Sequence, residues 1–226
     1  MIELKGLSKS FGNKQVLKEI SMRFESGYVY GIVGENGAGK TTLFRCIAGL
    51  EQFTGSVKSD LEPLKNHMGF LATDPFFFKH ITGREYLQLL CNARNVKGKD
   101  FDEKNIFDLP LEQYAKTYST GMKKKLAITA ILLQENEVFI LDEPFNGVDI
   151  QSNFITTEII HKLRSLGKTI LISSHIFSTL TETCDEIHLL KEGRFVRKAK
   201  KDEFAALDRE MKEFTIGNSI DKLDLG

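Results

Sequence analysis

The sequence of 226 residues has no segment that would cross a membrane or direct export. No apolar run approaches the roughly 18–20 residues that a membrane-spanning helix needs, and the longest, Leu126 to Leu133, contains Thr129. The first residues lack the apolar segment of a signal peptide. We therefore expect a soluble chain that stays on the cytosolic side of the membrane.

Cysteine pairs and net charge are also lacking. The three cysteines, Cys46, Cys91 and Cys184, are odd in number and form no C-x-x-C motif, so we expect buried thiols rather than disulfides or a zinc site. Lys plus Arg and Asp plus Glu both number 31, which gives a formal net charge of zero. The absence of a basic excess argues against a dedicated nucleic-acid binder, without excluding a local basic patch.

What the sequence does contain is an alternation of short apolar strands and helical segments, which predicts an α/β fold with a mostly parallel sheet. Residues 2–24 have the partial alternation of an antiparallel β lobe, and residues 74–134 predict an inserted helical sub-lobe that includes a short helix over Phe101 to Leu109. We predict one domain over 1–226, with the α/β core and β lobe at 1–73 and 135–200 and a C-terminal tail at 201–226.

A glycine-rich loop between a buried strand and a helix matches G-x-x-x-x-G-K-[ST] at every fixed position. Glycines let backbone N–H groups wrap a phosphate chain, and the following helix N-terminus adds positive potential. Such a P-loop NTPase site predicts Lys40 at the β- and γ-phosphates and the Thr41 hydroxyl on Mg²⁺. The predicted nucleotide-binding residues are Gly34, Glu35, Asn36, Gly37, Ala38, Gly39, Lys40, Thr41 and Thr42.

Four apolar residues, 138–141, precede an acidic pair, Asp142 and Glu143. Asp142 falls at the mouth of a central strand, where it can bind Mg²⁺ directly or through water. Glu143 leaves the sheet one residue later and can polarise an attacking water as the general base. Following a buried strand in a chain with a phosphate loop, the pair indicates catalysis rather than a solvated turn.

The ordered set of motifs resembles the ATP-binding subunit of ABC transporters. Residues 144–149 are similar to the D-loop of that family, and His175 closes a strand as its switch histidine does. Phe11 stands where the family places an aromatic ring on adenine. The family's signature is matched by four residues about 20 before the acidic strand, namely Ser119, Thr120, Gly121 and Met122.

The resemblance implies that two ATP-binding subunits pack head to tail, with each ATP between one phosphate loop and the signature of the other subunit. His175 would hold the γ-phosphate and orient the water. ATP and Mg²⁺ are the implied cofactors, and a permease on separate chains is the implied partner, with this chain peripheral on the inner face of the cell membrane and no nucleic acid bound. The partner subunit is either a second copy or a close relative.

Three positions depart from the family pattern. Thr73 stands where the family usually has a Gln whose carbonyl binds Mg²⁺, so a Thr73 metal contact is doubtful and we expect slow turnover. The Thr120 and Met122 variants of the signature are similar to those of many export-type subunits, which favours export mildly over import.

Two alternatives and one local question stay open. A soluble ABC-type ATPase acting on ribosomes or DNA is disfavoured because no coiled-coil insertion, zinc module or second ATPase domain is visible. A nucleotide-binding scaffold that barely hydrolyses ATP has only Thr73 in its favour. Three consecutive aromatics, Phe76, Phe77 and Phe78, either pack inside the sub-lobe or form an exposed patch for the permease.

Overall fold

The computed structural model describes the backbone of residues 1–216 and the side chains of residues 1–213. The strands are β1 (Ile2–Phe11), β2 (Lys14–Phe24), β3 (Val29–Val33), β4 (Thr54–Ser59), β5 (Met68–Leu71), β6 (Val138–Asp142), β7 (Thr169–Ser174), β8 (Glu186–Lys191) and β9 (Arg194–Lys200). The α-helices are α1 (Lys40–Ile47), α2 (Gly83–Asn92), α3 (Thr120–Leu133), α4 (Ile150–Ser165), α5 (Phe177–Thr183) and α6 (Phe204–Ile216).

The larger sheet has six strands in the order β5-β6-β7-β3-β8-β9. All neighbouring pairs are parallel except β8 and β9, which form an antiparallel hairpin. Strands β3, β6 and β7 are buried over their whole lengths, as expected for a sheet covered on both faces. The carboxyl ends of β5, β6, β7 and β3 therefore lie side by side at one edge of the sheet.

A second sheet holds three antiparallel strands in the order β2-β1-β4. The predicted α/β class, with a mostly parallel sheet and an N-terminal antiparallel lobe, is confirmed. This lobe packs on the same face of the large sheet as α1, through a core cluster that includes Leu17, Phe44, Ile32 and Leu171.

The opposite face of the large sheet is covered mainly by helices. A second core cluster lies on this face and includes Ile170 and Ile172 of β7. Leu171 between them belongs to the cluster on the face of α1, because successive side chains of a strand point to opposite faces. Leu87 of α2 and Leu126 of α3 join the helical cluster and are fully buried. The residues after β5 and before β6 thus share one core with the sheet.

The predicted short helix over Phe101 to Leu109 is wrong, because the structure has turns there. Side chains take over the backbone hydrogen bonds: the Asp100 carboxylate accepts the N–H groups of residues 102 and 103, and the Asn105 side chain bonds both backbone groups of Leu109. Asp and Asn compete with helix formation in this way. Phe101 and Phe107 are buried, so their apolar spacing reflects core packing rather than a helix.

Within residues 1–216, no helix is both long and apolar enough to cross a membrane. The predicted C-terminal tail, 201–226, contains α6, and its last residues, 217–226, lie outside the described residues. The three cysteines are free and buried, as predicted.

Candidate nucleotide site

The glycine-rich segment connects β3 to α1 and curls around a lysine. Gly37 and Gly39 have positive φ angles of 85° and 109°, in the left-handed region that favours glycine. Lys40 Nζ donates to the carbonyl oxygens of Gly34 at 2.7 Å and Glu35 at 3.3 Å. The loop therefore presents the start of α1, whose first N–H groups have no intrahelical acceptor, beside a buried ammonium group. Such a loop can bind phosphates.

Three hydroxyl groups converge on the fully buried carboxylate of Asp142 at the end of β6. Thr41 Oγ1 and Thr73 Oγ1 donate to the same oxygen, Oδ2, at 2.7 Å and 2.6 Å, and Ser173 Oγ donates to Oδ1 at 2.5 Å. The threonines come from α1 and from the segment after β5, and Ser173 lies in β7. Carboxylate and hydroxyl oxygens are hard ligands of the kind that Mg²⁺ prefers, so the side chains present fit that ion.

Glu143 follows Asp142 with a left-handed backbone, at φ 52°. A non-glycine residue in this region costs about 1–3 kcal/mol and is common at functional sites. Its carboxylate oxygen Oε2 lies 2.8 Å from His175 Nδ1 and 3.3 Å from the His175 backbone nitrogen, while Oε1 lies 3.7 Å from Lys40 Nζ. The turn thus directs the Glu143 carboxylate toward the phosphate loop instead of along the strand.

Most of the predicted residues line one cleft of about 500 Å³ at this edge of the sheet. Gly34, Ala38 and Asp142 are not part of its lining, and Asp142 reaches the cleft through its hydroxyl partners. Three lining residues were not predicted, Lys14, Val16 and Asn146. The predicted residues that line the cleft are Glu35, Asn36, Gly37, Gly39, Lys40, Thr41, Thr42, Thr73, Glu143 and His175.

Two groups of predicted residues lie away from this cleft. Phe11 ends β1 with 49% of its surface exposed, and Lys9 Nζ lies 4.5 Å from its ring centroid. The segment 119–122 lies at the start of α3, where Ser119 Oγ caps the helix by accepting the Met122 N–H at 3.2 Å. Neither group lines the cleft of its own chain.

Sequence reasoning missed two residues that hold the segment from Asp142 to Asn146, which we call the acidic turn. Ser173 Oγ accepts the Glu143 N–H at 2.9 Å, and Lys124 Nζ donates to the carbonyl oxygens of Glu143 at 2.7 Å and Asn146 at 2.8 Å. Lys124 has 1% of its surface exposed, and this burial lowers its pKa. No local signal distinguishes it from its neighbours, because all three residues 123–125 are lysines.

The fold and this cleft define a P-loop nucleotide-binding protein: a glycine-rich loop and lysine face an acidic strand end across a parallel sheet. The family model described as "ABC transporter" matches residues 17–146. The chain belongs to this family and is an ATP-binding subunit of an ABC transporter, an ABC-type ATPase.

Relatives agree with this assignment. The chain is 32% identical, over 96% of its length and 75% of the other protein, to the bacitracin transport ATP-binding protein BcrA of Enterococcus faecalis. A solved ATP-binding subunit of an ABC transporter superposes with a TM-score of 0.82 at 26% identity, covering 95% of this chain and 99% of the other. The dimeric post-hydrolysis state of the ATP-binding cassette MJ0796, bound to ADP and Pi, shares the fold at a TM-score of 0.79 and 21% identity, covering 89% and 99%.

Proposed function

We propose that this ATPase powers transport by a separate membrane-spanning permease, from a peripheral position on the cytoplasmic inner face of the membrane. The observation that carries the hydrolytic part is the meeting of Lys40, Asp142, Glu143 and His175 at one edge of the sheet. We further propose that the chain forms one ATP-binding domain, with the core at 1–73 and 135–200, a sub-lobe at 74–134 and a tail at 201–226.

In the proposed reaction, Lys40 and the N–H groups of the phosphate loop bind the β- and γ-phosphates. The Thr41 hydroxyl and Asp142 would hold Mg²⁺, which neutralises charge on the phosphate oxygens. Glu143 acts as the general base toward water, and its contact with His175 orients both side chains toward the γ-phosphate. The Glu35–Gly37 and Thr42 positions line the same cleft, and in this proposal they contact the nucleotide.

The short side chain of Thr73 gives it an indirect role in this scheme. Its hydroxyl bonds Asp142 directly, so it orients the carboxylate proposed to hold Mg²⁺ rather than presenting a carbonyl oxygen as Gln would. A hydroxyl that acts through Asp142 supports metal binding less directly. We therefore propose slow turnover, with hydrolysis retained because Glu143 and His175 are in contact.

The residues that do not line the cleft fit a site completed by a second subunit. Ser119, Thr120, Gly121 and Met122 begin a helix, where free N–H groups and the helix dipole favour a phosphate. We propose that they contact ATP bound to the partner subunit, that Phe11 stacks on adenine, and that ATP closes this head-to-tail dimer. A solved relative with this fold is dimeric with ADP and Pi.

An exposed aromatic surface supports docking on a permease. Phe76 and Phe78 expose 76% and 55% of their surface and pack edge to face, with ring centroids 5.4 Å apart. Phe77 instead packs against Tyr86 of α2, at 4.6 Å between centroids. The run therefore divides between packing and exposure. Phe78 continues into a groove with Ile81 and Leu89, which gives an apolar surface that a partner can bury.

Co-purification tests this proposal. The tagged chain is expressed in its own cells, membranes are solubilised gently, and bound proteins are identified by mass spectrometry with and without trapped ATP. The proposal expects a polytopic membrane protein in near-stoichiometric yield, whose own sequence would then indicate export, which is mildly preferred, or import. Recovery only in the soluble fraction with ribosomes or DNA would favour the alternative of a soluble ABC-type ATPase and reject the transport role.

A further inference from the structure

Lys124 is a buried charged side chain near the start of α3, between two other lysines. Its surface is 1% exposed, and it is among the largest fully buried side chains of residues 1–213. Burying an ammonium group is costly unless it is paired and hydrogen-bonded. Its two hydrogen bonds go to backbone carbonyls of the acidic turn, those of Glu143 and Asn146, rather than to a carboxylate.

The turn that receives these bonds is held at every backbone polar group of Glu143. The Glu143 N–H donates to Ser173 Oγ at 2.9 Å, and its carbonyl accepts both Lys124 Nζ at 2.7 Å and the Asn146 N–H at 3.2 Å. A residue at φ 52° keeps that conformation only where its surroundings enforce it. Lys124 supplies the one side-chain donor on the carbonyl side of this residue among the described contacts.

We propose that Lys124 is a positioning residue for ATP hydrolysis, which holds the turn at Glu143 so that the Glu143 carboxylate stays beside His175. This role rests on the proposed function of Glu143 as general base and does not require a permease. Without the ammonium group, the Glu143 backbone can leave the left-handed region, and the carboxylate then turns away from the cleft. No described contact joins Lys124 directly to residues 34–42, the proposed phosphate-binding loop. The link runs through Glu143, whose carboxylate lies 3.7 Å from Lys40 Nζ, so we expect ATP affinity to change little.

The hydrogen bond from Lys124 to the Glu143 carbonyl also ties the start of α3 to the acidic turn. A Cβ atom at Gly121 would lie 2.9 Å from the Gly147 carbonyl oxygen, so the helix start and the turn are in close contact. Lys125 makes a separate link, to Asp149 Oδ2 and Ser152 Oγ at 3.2 Å each. Lys125 does not contact Glu143. A change at Lys125 therefore tests only the attachment of α3 to the turn, whereas a change at Lys124 also tests the positioning of Glu143.

The test is Lys124→Met, which keeps an unbranched side chain only one atom shorter and removes its donor. We expect kcat for ATP to fall by about tenfold or more, with KM and the ATP dissociation constant changed by no more than about twofold. Lys124→Gln, which retains an amide donor, should recover part of kcat. Lys125→Met measures the effect of loosening α3, and Lys162→Met, an exposed lysine on α4, controls for the loss of a lysine.

A double-mutant cycle with Glu143→Gln makes the test specific. If Lys124 acts through Glu143, Lys124→Met should cause no further loss of the residual rate in the Glu143→Gln background. Wild-type kcat in Lys124→Met, additive losses in the cycle, or an equal loss in Lys125→Met would each overturn the proposal. If Lys124→Met does not fold, Lys124→Gln decides: reduced kcat with unchanged ATP affinity supports positioning, and unchanged kcat rejects it.

Discussion

The Thr73 hydroxyl donates a 2.6 Å hydrogen bond to Asp142 Oδ2, the oxygen that also accepts the Thr41 hydroxyl. The two bonded residues are 69 positions apart in the chain. The contact exists because Thr73 follows β5 and Asp142 ends β6, and these strands are parallel neighbours. Thr73 stands where the family usually has Gln, and it is still part of the acidic site because its hydroxyl bonds the Asp142 carboxylate.

Replacing Thr73 tests whether this contact limits turnover. We expect Thr73→Gln to raise kcat and to lower the Mg²⁺ concentration required, because a Gln carbonyl can reach the ion without Asp142 as an intermediary. The measurement is steady-state ATPase activity over a Mg²⁺ titration. Thr73→Ser, which keeps the hydroxyl, is the control and should behave as the wild type. A Thr73→Gln protein with unchanged activity and metal dependence would contradict this account.

Glu143→Gln should remove the general base while leaving the fold intact. Loss of a general base typically costs about 10²–10⁴-fold in rate, so we expect turnover close to background. ATP should still bind, and because it is not hydrolysed, an ATP-bound dimer should accumulate in size-exclusion chromatography, whereas the nucleotide-free chain should elute as a monomer.

Glu158→Gln is the matched control for that experiment, since Glu158 is an exposed glutamate on α4. Its activity should equal that of the wild type. Substantial turnover by Glu143→Gln would remove Glu143 from its proposed role. A stable dimer of the nucleotide-free chain would show that a surface other than the ATP site holds two copies together.

The aromatic pair Phe76 and Phe78 should matter for membrane attachment and not for ATP hydrolysis. Changing both to Ser removes exposed apolar surface, so we expect the protein to shift from the membrane to the soluble fraction while ATPase activity of the purified chain is retained. Phe77→Ser is the contrasting variant, because Phe77 packs on Tyr86 and its loss should lower the free energy of unfolding. Retention of the double variant on membranes would show that docking uses another surface.

His188 should make the fold sensitive to acid. Burial lowers the pKa of His188 to about 4, despite its 2.7 Å contact with Glu186. The unfolded chain binds this proton near pH 6.5, so the stabilisation is present above that pH and is lost as the pH falls toward about 4. The difference corresponds to about 3 kcal/mol.

The measurement for His188 is the free energy of unfolding in urea at several pH values across this window. His188→Gln keeps a polar group next to Glu186 but does not titrate, so its stability should fall less steeply with acid than that of the wild type. Parallel curves for the two proteins would assign the acid sensitivity to other groups.

The sequence alone was sufficient wherever neighbours in the chain act together. The phosphate loop is one continuous segment, and glycines at Gly37 and Gly39 determine its curvature through their own φ angles. The step from the buried strand to Asp142 and Glu143 is equally local. The α/β class followed from strand and helix periodicity, which depends only on nearby residues.

Only the tertiary structure decided the contacts between strand ends. Thr73, Ser173 and Lys124 meet the acidic turn from three separate elements, and Lys124 is 19 residues from Glu143 in the chain. Packing also decided which members of the aromatic run are exposed. At residues 101–109, side-chain hydrogen bonds replaced a predicted helix. Spacing in the chain specifies local backbone geometry, whereas these contacts arise because parallel strand neighbours, and the packing of α3 beside them, bring distant residues to one edge of a buried sheet.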